Sequence, residues 1–306
     1  MKEKEVRRAI ALGFFDGVHC GHRALMDMAV RRARENGATA SVFTFDRHPN
    51  SLISGRSTPL ITSPIIRADE IKEQGGVDEV IFAHFDKSLM EMDWKEFVDK
   101  VLYEQFHACW IITGENNRFG YRGQGNPERL AEECARLGIG CDTIPNVMMD
   151  DIVVSSTYIR GLIAQGDIAR ANRFLGHPYT IAGVVGHGRT VGRRMGIPTC
   201  NIPLPAEMQV PPNGVYVSRV VVDGESHIAA TNIGERPTFA DQHGITVEPH
   251  LLDFSGDLYG KLIRVELYEF LRPERQWPNV EELKKAIAGD VRKTREYFAN
   301  SDICYA

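Results

Sequence analysis

Two histidines stand three residues apart in GFFDGVHCGH, Gly13 to His22, just after an Asp-Gly turn and the apolar run RAIALGFF. A helix beginning near Gly21 would aim free backbone amides and its positive dipole end at the place where His19 and His22 also point. Two imidazoles presenting N–H donors there could hold the phosphates of a nucleotide and stabilise the charge on a departing pyrophosphate. An ordinary polar strand-to-helix turn is the alternative, but the preceding glycines and the strand before them favour the anion site.

SSTYIR sets Ser155, Ser156 and Thr157 at a helix start, with Arg160 one turn on. Either the hydroxyls only cap the helix and Arg160 is solvated, or together they grip the β- and γ-phosphates of a nucleotide. Further along, the glycines of GHGRTVGRRMGIPTCN would let backbone wrap closely over phosphates. Thr199 and Asn201, two residues apart on an extended segment, face the same way and could coordinate Mg2+; a bulge with a surface Asn is the plainer reading. Glu248 interrupts the apolar strand of TVEPHLLDF, which suits a general base for a substrate hydroxyl or a partner in a structural salt bridge.

The elements around these residues change character along the chain. RAIALGFF reads as a buried strand, and HRALMDMAVRRAREN as an amphipathic helix that Gly37 stops. ATASVFTF follows as a strand, then SPIIRADEIKEQG as a helix capped by Ser63 with Pro64 in its first position. The alternation continues through DEVIFAHF, DWKEFVDKVLYEQF, ACWIITG and NPERLAEECARLG, which implies a mostly parallel sheet wrapped on both faces. Ligands of such sheets sit beyond the carboxyl ends of the strands, where the histidine turn and TGENNRFG both fall. Two more helices, SSTYIRGLIAQG and DIARANRFLG, precede a stretch rich in β-branched residues, with Asp223-Gly224 as a hairpin turn. That second part suits a closed or partly closed barrel flanked by the helix of NVEELKKAIAGDVRKTREYF, with a boundary near residue 177.

At 306 residues two domains are expected, and 43% hydrophobic with 25% charged residues is ordinary for a globular protein. The formal charge of -5 supplies no basic field for a phosphate backbone, so no nucleic-acid partner is expected. The N-terminal apolar stretch is too short for a spanning helix or a signal core, which places the protein in the cytoplasm with no membrane partner. Six cysteines without a C-x-x-C pair indicate neither a zinc site nor a disulfide framework and read mostly as buried thiols.

Taken in order over nearly the whole chain, GFFDGVHCGH, SSTYIR, GIPTCN, TNIGERPTF, VEPHLLDF and LYGKLIRVELYEFLRPE resemble the prokaryotic bifunctional riboflavin kinase and FAD synthetase. The resemblance implies an α/β chain: a Rossmann-like nucleotidyltransferase (FMN adenylyltransferase) domain at 1–176 and a six-stranded β-barrel riboflavin kinase domain at 177–306. Riboflavin, FMN and ATP are the implied small-molecule substrates, and Mg2+ the implied cofactor, held by Thr199 and Asn201. Glu248 becomes the base of the kinase step, while His19, His22 and Arg160 act in adenylyl transfer. Nucleotide contacts fall to Gly13, Phe15, Gly17, Gly21, Asn116, Ser155, Ser156, Thr157, Gly186, Gly192 and Arg193. Phe14, Arg47, Asn117 and Cys200 depart from the family pattern, and Phe14 and Asn117 motivate an alternative in which the first domain is a degenerate nucleotide binder. A flavin-responsive regulator is a further alternative, though no DNA-binding helix pair or basic stripe supports it. A monomer or weak homo-oligomer is expected.

Overall fold

The computed structural model describes residues 6–53, 55, 57–186, 200–235 and 244–300. Contacts group the chain into two units, Met1–Thr58 with Arg67–Ser155, and Pro59–Ile66 with Ser156–Ala306.

In the first unit five parallel strands, β1 (Arg8–Leu12), β2 (Thr39–Phe45), β3 (Glu79–Ala83), β4 (Ala108–Gly114) and β5 (Gly140–Ile144), form a sheet in the order β3-β2-β1-β4-β5. Strand β1 is central and buried on both faces. Ala9 and Ala11 face the helix Cys20–Asn36, where their small side chains admit Met26, Ala29 and Ala33. Ile10 and Leu12 face the opposite side, against Phe97, Val98, Leu102 and Leu130. Successive strands are added on one side of β1 and then on the other, so the topological switch point lies beyond the carboxyl ends of β1 and β4.

Helix signals act as the sequence reading expects at most sites. Asn126 accepts the Arg129 amide at 2.8 Å and Gly138 closes that helix at φ 71. The segment expected as a helix from Asp93 is short α-helix at Trp94–Glu96 and then widens into a π-helix over Phe97–Gln105. The helix expected from Ser63 begins instead at Arg67. Its intended first turn is pulled elsewhere: Leu60 exchanges backbone hydrogen bonds with Glu207 and Gln209, and the Ser63 carbonyl closes a turn by accepting from the Ile66 amide. A small hairpin, β6 (Met148–Met149) with β7 (Ile152–Val153), follows β5.

The second unit carries helices Ser156–Gln165 and Ile168–Leu175 and six antiparallel strands. These are β8 (Tyr179–Val184), β9 (Ile202–Pro203), β10 (Gly214–Val222), β11 (Glu225–Glu235), β12 (Ile245–Leu251) and β13 (Leu262–Pro273), ordered β8-β13-β10-β11-β12-β9. The Gly186 amide donates to the Asn201 carbonyl at 2.9 Å, so the two edge strands meet and the barrel is nearly closed. Asp223 and Gly224, at φ 51 and 82, make the two-residue turn between β10 and β11. Arg272 grips Asp290 through Nε and Nη2, fixing the helix Val280–Asn300 to β13.

Candidate functional site

The turn after β1 is strained backbone. Phe15, Gly17 and Val18 take positive φ of 56, 82 and 39. For the two non-glycine residues such conformations cost about 1–3 kcal/mol each and persist only where surroundings hold them. Phe15 is fully buried against the helix Cys20–Asn36, the Gly13 amide reaches the Phe43 carbonyl, and Thr44 Oγ1 donates to the Phe14 carbonyl at 2.8 Å. Gly13 is required because an added Cβ would stand 2.9 Å from the Phe15 ring.

That turn delivers His19 to the N-cap of the helix, which starts at Cys20, one residue before the expected Gly21. His19 Nδ1 accepts the His22 amide at 3.2 Å. Accepting through Nδ1 puts the proton of the neutral ring on Nε2, which becomes a fixed donor. One amide of the helix end is therefore satisfied by His19 itself and does not remain open to an anion. The two rings stack at 3.6 Å with 10° between planes. His22 Nδ1 is sealed from solvent with no hydrogen-bond partner among the described residues. Burial, with His19 beside it, holds the His22 pKa well below the ordinary value of 6.5, so this ring is neutral. Gly21 lets the stack form: a Cβ there would lie 3.2 Å from the His19 ring and 3.7 Å from the Val154 carbonyl. Ser155, the residue after Val154, thus lies at this helix start in the first unit.

Beyond β4, which pairs with β1 in parallel register, Asn116 Nδ2 donates to Asn146 Oδ1 at 3.1 Å and the Asn146 amide donates to Glu115. Asn117 turns inward and bonds Thr113 Oγ1 at 2.8 Å, closing the strand end. Ser156, Thr157 and Arg160 sit on the helix Ser156–Gln165, which groups with the second unit.

In the barrel Asn201 is buried, and its Nδ2 donates to Glu248 Oε1 at 2.8 Å. Thr246, on the same face of β12, reaches that oxygen at 3.4 Å. Glu248 Oε2 makes no hydrogen bond among the described residues. A carboxylate oriented through one oxygen, with the other left to accept a proton, can serve as a base. The neighbouring Cys200 thiol is pushed up to about 12 by burial and is chemically quiet. Asn201 and Glu248 together supply hard oxygen donors of the kind a divalent cation takes alongside phosphates. Thr199, Gly192 and Arg193 lie outside the described residues, whereas Gly186 is placed at the barrel closure.

One residue that touches the site escaped sequence reading. Thr246 shares the β12 face with Glu248 at a period of two, a signal that was available.

Comparison with known proteins covers both units. Residues 1–158 match the FAD synthetase family model and residues 175–298 the riboflavin kinase model. A bifunctional riboflavin kinase/FMN adenylyltransferase of Bacillus subtilis is 33% identical, covering 98% of this chain and 95% of its own. Its counterpart in Escherichia coli K12 is 32% identical over 94% of this chain and 92% of its own. A crystal structure described as a macrolide-efflux protein from Streptococcus pneumoniae superposes with a TM-score of 0.83 and 28% identity, over 95% of each chain. No helix among the described residues is long and apolar enough to cross a membrane.

Proposed function

The chain belongs to the family of bacterial bifunctional riboflavin kinase/FMN adenylyltransferases, and we propose that Glu248 in the second unit drives FMN formation and the His19–His22 turn in the first drives FAD formation. It is an ATP-dependent transferase with both activities. In the kinase step, Glu248 takes the proton of the ribityl 5′-hydroxyl while that oxygen bonds to the γ-phosphorus, and the bond to the bridging oxygen breaks to release ADP. Asn201 fixes the carboxylate for that transfer. Mg2+, held by the nucleotide phosphates with Asn201 and Thr199, would neutralise charge on the transferring group. Gly186, Gly192 and Arg193 belong to the segment assigned to the nucleotide.

In the second step an FMN phosphate oxygen bonds to the α-phosphorus of a second ATP, and pyrophosphate leaves. His19, through Nε2–H, and His22 hold the phosphates as neutral donors. Ser155, Ser156, Thr157 and Arg160 hold the leaving group, and Asn116 contacts nucleotide or flavin. Gly13, Phe15, Gly17 and Gly21 let the turn approach the nucleotide. The functional halves are taken as 1–176 and 177–306. The enzyme is read as cytoplasmic, a monomer or weak homo-oligomer, with no nucleic-acid or membrane partner.

The observation that carries this reading is the Asn201–Glu248 pair in a barrel matched by the kinase model, taken with a histidine turn in a separate sheet matched by the synthetase model. Incubating the protein with riboflavin, ATP and Mg2+ and separating the flavins by chromatography should show FMN first and FAD after it. Accumulation of FMN alone, even when FMN is supplied, would instead establish the degenerate first domain.

A further inference from the structure

Arg67 is a cation almost completely buried, 2% exposed, at the carboxyl edge of the parallel sheet, where no reading above gives it a task. Its guanidinium lies between two rings, 4.6 Å from the centre of Phe14 and 4.9 Å from that of Phe82, and donates to the Phe45 carbonyl at the end of β2. Two carboxylates, Asp16 and Asp46, attract it, and Asp16 is itself buried within the histidine turn. Burial still outweighs that attraction and lowers the Arg67 pKa to about 10. A buried cation costs free energy that a surface residue would not, so its place under Phe14 calls for a reason.

The backbone supplies one. Phe14 precedes three positive-φ residues, Phe15, Gly17 and Val18, and only outside contacts keep such a turn in shape. Thr44 holds its carbonyl and Phe43 its first amide, while Arg67 covers the Phe14 ring and attracts the Asp16 carboxylate. We infer that Arg67 is a positioning residue of the first unit, holding the Phe14 ring so that the strained turn presents His19 and His22 to the nucleotide. This rests on the reading of that turn as the adenylyl-transfer site. It also gives Phe14, a departure from the family pattern, a structural use.

The test compares Arg67→Met and Arg67→Lys with the wild type, measuring FAD formation from supplied FMN and riboflavin phosphorylation in the same preparations. Arg67→Met should raise KM for ATP in FAD formation by about tenfold or more, leaving riboflavin phosphorylation within about twofold. Arg67→Lys keeps the charge that attracts Asp16 but loses the planar stack, and should recover part of that KM. Phe14→Leu should give a similar KM rise and add little to Arg67→Met in the double variant, because the two act as one unit. Unchanged FAD kinetics in Arg67→Met would overturn the inference, as would a parallel fall of both activities or additive effects of the two substitutions. A wild type that makes no FAD from FMN would refute the underlying site assignment instead.

Discussion

The chemistry of single residues here follows from what each side chain must give up to reach its place. His22 loses water and gains a neighbouring imidazole, so its folded pKa lies below the unfolded one. The stability tied to its neutral form is therefore whole above 6.5 and is lost as pH falls below that value toward the depressed folded pKa. Chemical denaturation followed on either side of that value should show a fall in stability on the acid side, and His22→Gln should flatten it. Gly21→Ala pushes a methyl toward the His19 ring, and should weaken ATP binding for FAD formation while sparing riboflavin phosphorylation, as measured by KM in both assays. Glu248 is governed by orientation: with Asn201 on one oxygen, Glu248→Gln should lower riboflavin phosphorylation by about 100-fold or more while riboflavin binding, followed by fluorescence, persists.

Elements carry the next level of the account. Asn172 is fully buried on the helix Ile168–Leu175, accepting the Tyr179 amide at 2.7 Å and donating to the Leu267 carbonyl at 2.8 Å. Asn172→Leu orphans both backbone groups, and each should cost about 1–3 kcal/mol, read as a lower Tm. Where local rules decide an element, the sequence was legible: Gly37, Gly138 and Gly176 end their helices in the left-handed conformation, and Asp223-Gly224 makes its hairpin. Where remote partners decide, it was not. Ser63 has the chemistry of a cap, yet its segment is held by residues near 207, and nothing local announces that pairing. Strand β5, GCDTI, lacks the apolar run that marks a buried strand because its Asp142 is taken up by Arg32 and Trp110. In the candidate sites, residue types and spacing singled out the histidines and Glu248, but the N-cap bond that fixes the His19 tautomer needed the fold.

At the scale of the whole molecule, one chain holds two ATP-consuming centres of different construction. One is proposed at a strained turn beyond the carboxyl end of β1 in a parallel sheet, where neutral imidazole donors would meet phosphates. The other is proposed at a half-buried carboxylate held by a buried amide in a nearly closed barrel. Because each centre draws its named reacting side chains from different elements, single substitutions should divide the activities cleanly. The most direct measurement is a paired assay of Glu248→Gln and His22→Ala, each supplied once with riboflavin and once with FMN, with ATP and Mg2+, and the flavins resolved by chromatography. Glu248→Gln should make FAD from FMN but scarcely any FMN from riboflavin, and His22→Ala should accumulate FMN from riboflavin and make little FAD from either. A Glu248→Gln enzyme that phosphorylates riboflavin at the wild-type rate, or a His22→Ala enzyme that makes FAD normally, would contradict the assignment of these centres.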